Sequence, residues 1–432
     1  MIYALYFSGY LFFLYTILGL ERGRPRTERL LLISVALIPI GKLFYLPVQS
    51  LMGFKFCFVF ACIALLLLAI RSFCRSVPLD TAVLFPLLFL VPALISLPFL
   101  HDVRMLFKYS LGEGQVDSVL ARLISLAVLV MYASWVASFV AHATDGFKSI
   151  AAVYSNALLF TCLIGYVIFA LVFLGRLHVE DLLPISADTH LVGDIYRFNP
   201  GANVDEFGTL LGYGIMLVLW LDWSILRKML YLGPFFVAVL LTLNRTCWIG
   251  VPLGLLIYIF GARRKFVATA GVGVLLGAAV FLLTRNHEIS DILLSRTVLD
   301  IGASGADRLG KYSSAYSDLT SSPWRLLFGF GWSSNLYVHS VPIQLLYETG
   351  LVGVGCYLFI GLLGLTNYRL TPPSSEKSLL IPLMAMMFVF GSVQHTLYHM
   401  QTWLIIGLFW GVVVRGRSVG KLGTSLAWSH GC

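Results

Sequence analysis

Charged residues are scarce in this chain. Of its 432 residues, 12% are charged and 59% are hydrophobic, whereas soluble domains carry roughly 25% charged residues. Apolar runs long enough to cross a bilayer recur from 1 to 414. They do not alternate with period two, which argues against an outer-membrane barrel. The composition therefore predicts an all-α polytopic membrane protein.

The common catalytic and metal-binding motifs are also missing. The sequence has no P-loop, no HExxH and no serine nucleophile elbow, and no acidic cluster typical of a metal-dependent nucleotide-sugar site. Its seven cysteines are odd in number, lie mostly inside apolar runs and show no metal-ligand spacing. We read them as small packing residues. We expect no metal, no cofactor and no nucleic-acid partner.

Acidic residues are nearly absent from the apolar runs, and Glu348 is the clear exception. Proton-coupled transporters usually need carboxylates or histidine relays inside the membrane. The alternative from a different functional class is a lipid-linked oligosaccharide flippase or another transporter. Such a protein is expected to have charged residues near the middle of the membrane and short loops on both sides.

Basic residues predict the orientation of the helices. Short connectors rich in Lys and Arg fall on one side if the predicted helices alternate, and that side is then cytoplasmic. The count is 13 spans, within a range of about 12–14. The predicted helices lie near 2–20, 30–47, 52–70, 79–100, 121–142, 150–175, 207–223, 229–244, 247–262, 266–284, 341–366, 378–396 and 402–415.

Two longer external segments divide the chain. Loops of this length in a compact bundle are usually functional. The second one contains helix-like pieces and a predicted Gly-Ala-Ser-Gly-Ala break at 302–306, so we expect a folded cap. The resulting organisation is 1–176, N-terminal helices; 177–206, external loop; 207–284, central helices; 285–338, large external loop; 339–432, C-terminal helices and cytoplasmic tail.

Three external arginines are candidate ligands for an anion. Guanidinium stays charged and presents a planar fork that suits a diphosphate. Arg245 lies between two apolar helices with almost no loop, and Arg197 and Arg308 lie in the external segments. Arg245 can instead be an interfacial anchor or pair with an acid, and the other two can be ordinary loop arginines.

His339 and Glu348 belong to one segment, 326–355. Ser340 can cap the apolar helix that follows, and Pro342 suits its first turn. His339 would lie just outside that N-terminus, where the positive potential favours neutral imidazole and a nearby anion. The alternatives are a polar surface histidine and, for Glu348, a buried acid bonded to a neighbouring helix.

These residues carry a family resemblance. The segment GFGWSSNLYVHSVPIQLLYETGLVGV resembles the signature of the O-antigen ligase and O-antigen polymerase family, in which a Gly-rich turn and a His precede a helix reading LxxLxExGxxG. Arg197, Arg245 and Arg308 resemble the family's arginines in order and topology. The chain departs from the family in having Ser340 after His339 and Asn244 before Arg245.

The resemblance implies a metal-independent glycosyltransferase of the GT-C type in the bacterial inner membrane, with its active site on the periplasmic side. Its substrates would be an undecaprenyl-pyrophosphate-linked glycan and an acceptor glycan, and flippase and chain-length regulator proteins are possible partners. His339 and Arg245 would be catalytic; Arg197, Arg245 and Arg308 would bind diphosphate or glycan, and Glu348 would support the site. Polymerisation of O-antigen or exopolysaccharide repeat units is the preferred reaction, and ligation to a terminal acceptor is the alternative.

Overall fold

The chain is helical apart from two short β ladders in the part that the computed structural model describes. The described residues are 8–9, 11–16, 19, 23–39, 81–100, 109–110, 116–176, 191–192, 195–198, 204–261, 301–332, 340–394 and 396–429. The helices predicted near 52–70 and 266–284 lie outside these residues.

Twelve α-helices are described with defined bounds. They are α1 Arg26–Leu37, α2 Leu90–Ser96, α3 Val119–His142, α4 Gly146–Phe173, α5 Val204–Trp220, α6 Ile225–Leu241, α7 Arg245–Gly261, α8 Ile301–Thr320, α9 Pro323–Phe328, α10 Val341–Leu370, α11 Ser375–Val393 and α12 Met400–Ser429. Two antiparallel two-residue ladders pair β1 Tyr109–Ser110 with β2 Val116–Asp117, and β3 Leu191–Val192 with β4 Ile195–Tyr196.

Four of these helices (α3, α4, α10 and α11) are long and apolar enough to cross a membrane. Shorter apolar helices cover Phe85–Phe99, Glu206–Trp220 and Arg245–Phe260. A backbone in lipid must satisfy its own hydrogen bonds, which a helix does along its length. The prediction of a helical membrane protein is confirmed at this level.

Small residues allow the long helices to approach closely. Gly407 and Gly411 of α12 lie against α3, where an added Cβ would come within 2.7 Å of the Ala133 carbonyl and 2.8 Å of the Ala137 carbonyl. Glycines four residues apart form a flat strip, and such strips drive helix packing where lipid gives no hydrophobic advantage. The α3–α12 pair is thus held by backbone proximity as well as by buried side chains.

Two glycines of α5, Gly208 and Gly212, also lie at close helix contacts. A Cβ at Gly208 would collide with the Cys247 sulfur, and one at Gly212 would lie 2.7 Å from the Met386 Cε. Helix α5 therefore lies directly against both α7 and α11.

The predicted helix near 79–100 is interrupted. Residues Thr81–Phe89 form a 3-10 helix, α2 follows, and Leu97–Phe99 form a second 3-10 turn. Pro86, Pro92 and Pro98 recur at intervals of six. Proline lacks an N–H and clashes with the carbonyl four residues earlier, so one continuous α-helix is disfavoured here.

The predicted break at 302–306 is wrong, because α8 runs through it. Gly and Ser lower helix propensity but do not prevent helix formation when flanking residues and tertiary contacts favour it. The segment 285–338, which is predicted to be external, does contain helices, α8 and α9, in its described part.

The described basic turns gather at one end of the bundle. Arg24, just before α1, forms an ion pair with Asp145 before α4, and Lys148 lies 3.9 Å from Asp222 after α5. Partial burial raises the pKa of the Asp145 carboxyl. The hydrogen bond and charge of Arg24 outweigh this effect, so that pKa lies below its ordinary value.

The start of α11 and the middle of α12 lie at the same end. The Trp220 indole of α5 donates to the Ser375 carbonyl at 2.9 Å, and Arg415 pairs with Glu376 at 2.7 Å. The predicted basic clusters that fall within the described residues therefore share one end of the structure, which we call the basic end.

Cysteine labelling tests whether the basic end is cytoplasmic. Ser314 is exposed on α8, and Ser375 is exposed at the start of α11. In cells with a permeabilised outer membrane, Ser314→Cys should react with a membrane-impermeant maleimide, because we expect α8 outside. Ser375→Cys should react only after the inner membrane is opened. The unaltered chain gives the background from native cysteines, and the reverse pattern would overturn the orientation.

Candidate functional site

The turn between α6 and α7 lies away from the basic end. Helix α6 starts at the basic end, where it contains Arg227 in its first turn, and it ends at this turn. Its 17 residues span roughly 25 Å at the helical rise. Leu243 in the turn has φ 51°, a left-handed conformation that is uncommon for a residue with a side chain. Such backbone strain concentrates at functional sites.

Asn244 connects this turn to α7. Its Oδ1 accepts a hydrogen bond from the Thr246 N–H at 3.0 Å, which is an N-cap interaction. Arg245 is then the first residue of α7. A guanidinium and a helix N-terminus both favour anions, so the two effects combine at this point.

Arg197 reaches the same turn from the segment before α5. Its Nε donates to the Thr242 carbonyl at 3.0 Å, and the next residue, Phe198, donates its N–H to the Leu241 carbonyl at 3.0 Å. The Phe198 ring is fully buried and packs 4.8 Å from the Tyr166 ring. The structure therefore brings Arg197 and Arg245 to one turn.

The signature segment folds back on itself. Helix α10 is interrupted at Gly350, which has φ 64° and ψ −168°. The carbonyls of Tyr347 and Glu348, just before the break, accept hydrogen bonds from Phe330 N–H at 2.9 Å and Gly331 N–H at 3.0 Å. The Gly-rich turn thus satisfies carbonyls at the helix interruption, which would be costly to leave unpaired when buried.

Glu348 is 1% exposed, and it accepts a hydrogen bond from the Gln344 side chain one turn earlier. The carboxyl therefore lies inside the protein, while the main chain of Glu348 packs against the Gly-rich turn. The backbone of Gly329 touches Glu348 so closely that a Cβ would lie 2.6 Å from the Glu348 carbonyl oxygen. Gly329 permits this close approach, and both Gly329 and Gly331 adopt a positive φ, which favours glycine.

The other predicted site residues are less completely described. Arg308 lies on α8, and its side chain is outside the described set. The prediction for His339 falls outside the described residues. Its neighbour Ser340 is the N-cap residue of α10, as expected, and Pro342 lies in the first turn, but the Ser340 side chain makes no capping hydrogen bond.

Sequence reasoning missed a group of buried amides beside Arg245. Gln394, at the end of α11, donates from Nε2 to the Asn244 Oδ1 at 3.3 Å, and Gln401 of α12 donates to the Thr209 hydroxyl at 3.0 Å. The signal was present as eight residues, QHTLYHMQ at 394–401, that interrupt two apolar runs. The predicted helix to 396 concealed it by placing Gln394 inside a span.

The capping bond fixes how the two amides face each other. Asn244 must present Oδ1 to Thr246, so Gln394 must present its NH₂ group to the same oxygen. The Asn244 Nδ2 and the Gln394 Oε1 are buried and have no hydrogen-bond partner among the described residues. One donor and one acceptor thus lie next to the residue that begins α7.

An aromatic contact joins the segment that carries the buried amide side chains, 394–401, to the signature segment. Tyr398, in the 394–401 stretch, packs edge-on to Trp332 at 6.3 Å, and Trp332 follows Gly331 directly. The Arg122 guanidinium of α3 lies over the Tyr398 ring, 5.8 Å from its centroid. Together with the arginine turn, these residues form the candidate site.

Within the described ranges, no group of three or more His, Cys, Asp or Glu side chains is arranged to hold a metal ion. Neither a model of any known protein family nor any curated protein sequence matches the chain. The chemistry of the candidate site therefore has to be argued from its own residues.

Proposed function

We propose that this protein transfers a polyprenyl-diphosphate-linked glycan to an acceptor sugar on the periplasmic side of the bacterial inner membrane. The observation that carries this proposal is the meeting of Arg197 and Arg245 at one turn, at the first residue of a helix and away from the basic end. Two guanidinium groups beside a helix N-terminus suit a diphosphate.

The arginines stabilise the leaving group. Breaking the bond between the anomeric carbon and the diphosphate releases a lipid diphosphate, on which negative charge grows. Arg245 and Arg197 neutralise this charge, and such electrostatic stabilisation is usually the largest contribution to catalysis. Arg308 on α8 contacts the glycan or the diphosphate from the external segment.

The acceptor hydroxyl needs a base. His339 takes the proton of this hydroxyl as its oxygen attacks the anomeric carbon, and a neutral imidazole suits this role near neutral pH. Glu348 supports the site indirectly. Its side chain is buried, and its main chain packs against the Gly-rich turn that precedes His339 in the chain.

The membrane arrangement that accompanies this reaction has 13 spans, an external N-terminus and a cytoplasmic basic end. The polyprenyl tail lies between helices in the bilayer, and the sugars lie under the external helices α8 and α9. A flippase delivers the donor from the cytoplasmic side, and a chain-length regulator acts on the product.

Polymerisation of repeat units is the reaction that we prefer, and ligation to a terminal acceptor is its alternative. Gel analysis of glycans from a deletion strain distinguishes them. Loss of a polymerase leaves single repeat units, whereas loss of a ligase leaves long chains on the lipid carrier. Loss of the external glycan, with lipid-linked repeat units retained on the cytoplasmic face, would indicate a transporter instead.

Transfer should not require a divalent cation. Purified protein in lipid nanodiscs should transfer glycan at the same rate with excess EDTA as with added Mg²⁺, because guanidinium groups supply the positive charge. The measurement is the amount of extended glycan on a gel over time. A strict requirement for Mg²⁺ or Mn²⁺ would contradict the role given to the arginines.

A further inference from the structure

An external pair of ring stacks lies beside the Gly-rich turn. In the first stack, the Phe328 ring is parallel to the Phe99 ring at 4.3 Å and 2°, and to the Trp324 ring at 6.0 Å and 16°. Trp324 is 67% exposed and Phe99 is 37% exposed. Trp324 and Phe99 are therefore exposed members of one contiguous aromatic patch, and exposed apolar patches mark interaction sites.

The second stack contains an arginine. The Arg325 guanidinium lies 4.5 Å over the Phe330 ring, and the Tyr347 ring lies 4.6 Å from the same ring at 10°. Both groups cannot occupy one face, so Phe330 lies between them. The Tyr347 hydroxyl donates to Asp318 of α8 at 3.4 Å, which anchors this stack to the external helix.

A pocket of about 90 Å³ lies between the two stacks. It is lined by Phe99, Trp324, Arg325, Gly329 and Phe330. Three aromatic side chains and one guanidinium thus surround a space whose remaining wall is the backbone of the signature turn. The pocket is too small to enclose a sugar, but it accommodates one face of a pyranose ring.

We propose that this pocket is a glycan subsite that binds one pyranose ring. The C–H face of a pyranose carries slightly positive hydrogens, and aromatic faces are negative, so the two stack. Arg325 donates to Ser321 at a long 3.5 Å, and a guanidinium has five donors for sugar hydroxyls or a carboxylate. The proposal rests on the proposed function in taking the glycan as the substrate.

A glycan fits these residues better than a lipid chain does. An acyl chain would cover the guanidinium without giving it a hydrogen bond, and this costs free energy. A sugar satisfies both the rings and the cation. The adjacent α8 surface is also polar, with exposed Ser317, Ser321 and Thr320 nearby in the chain.

Direct binding to soluble sugars tests the subsite without requiring transfer. The full chain in nanodiscs is titrated with three hexasaccharides, one of glucose, one of N-acetylglucosamine and one of alternating uronic acid, and binding is followed by calorimetry and saturation-transfer NMR. At least one should bind. Trp324→Ala and Arg325→Ala should each weaken it by about tenfold or more, the scale of an aromatic or arginine hot spot.

Two further variants control for structure. Trp324→Phe keeps an aromatic face and should retain most of the affinity. Trp223→Ala removes a tryptophan at the basic end, where the Arg227 guanidinium lies 3.9 Å over its ring, and this variant should bind like the unaltered chain. An effect of Arg325→Ala confined to the uronic-acid probe would identify an acidic sugar.

Several results would overturn the subsite. The first is that no probe binds saturably, and the second is that Trp324→Ala leaves the affinity unchanged. The third is that brominated lipids quench tryptophan fluorescence and that Trp324→Ala removes this quenching while Trp223→Ala does not. The last would place Trp324 in the bilayer. Binding that depends on Trp324 in a protein that transfers no glycan would retain the subsite and reject the proposed function. Normal glycan transfer together with unchanged sugar affinity in the variants would retain the proposed function and reject the subsite.

Discussion

Replacing Gly350 by alanine is expected to destabilise the protein strongly. Gly350 combines φ 64° with ψ −168°, a region that side-chain-bearing residues rarely enter, and holding them there costs about 1–3 kcal/mol. A Cβ would also collide with the Leu327 carbonyl and the Phe328 N–H. The variant should melt at a distinctly lower temperature in gel-filtration assays of heated, detergent-solubilised protein.

Gly355→Ala is the matched control for this prediction. Gly355 lies in the same helix, and no atom lies within 4 Å of its added Cβ. Alanine should raise stability slightly there, because it favours a helix over glycine by roughly 1 kcal/mol. If both variants melt at the same temperature, the interruption at Gly350 is not what holds the Gly-rich turn.

His339→Ala is expected to lower glycan transfer by about 10²–10⁴-fold, the usual contribution of a positioned general base. Donor binding should remain largely intact, because a neutral imidazole contributes little to holding a diphosphate. Both quantities are measured on purified variants of matched monodispersity, as transfer rate and as affinity for the lipid-linked donor. Transfer at the parent rate would reject His339 as the base.

Arg245 gives the contrasting result in the same assay. Arg245→Ala should weaken both donor binding and turnover, since its charge meets the diphosphate before and during bond breaking. Arg245→Lys should recover only part of the loss, because an ammonium lacks the planar fork. Arg227→Ala, an exposed arginine at the basic end, should leave both quantities unchanged. An equal loss of donor binding and turnover in Arg227→Ala would mean that these quantities depend on the overall positive charge of the protein and not on the candidate site.

The candidate site could be predicted in part. The signature segment and Arg245 stood out because charged residues are conspicuous in an apolar chain. The proximity of Arg197 to Arg245 could not be predicted, since it depends on Phe198 packing against Tyr166 and on hydrogen bonds to the end of α6. Gln394 was missed because an amide at a helix end reads as part of the preceding apolar run.

The break in α10 shows the same limit. Gly350, Gly353 and Gly355 lie in one apolar run, and the local sequence does not distinguish them. Gly355 has open space around it, whereas Gly350 interrupts the helix and contacts the backbone of Leu327 and Phe328. Which glycine adopts a positive φ is decided by the segment that packs on it, and that segment is distant in the chain from the helix interior.

Sequence alone determined the helical membrane class, the approximate positions of α3 to α7 and α10 to α12, and the common side of the basic turns. These depend on composition and on short-range hydrogen bonding, because an apolar run in lipid must satisfy its backbone within itself. Tertiary structure decided the arginine turn, the interruption at Gly350, the Asn244–Gln394 pair and the two ring stacks. Each of these joins segments far apart in the chain, and such pairings depend on how helices pack, which local pattern does not encode.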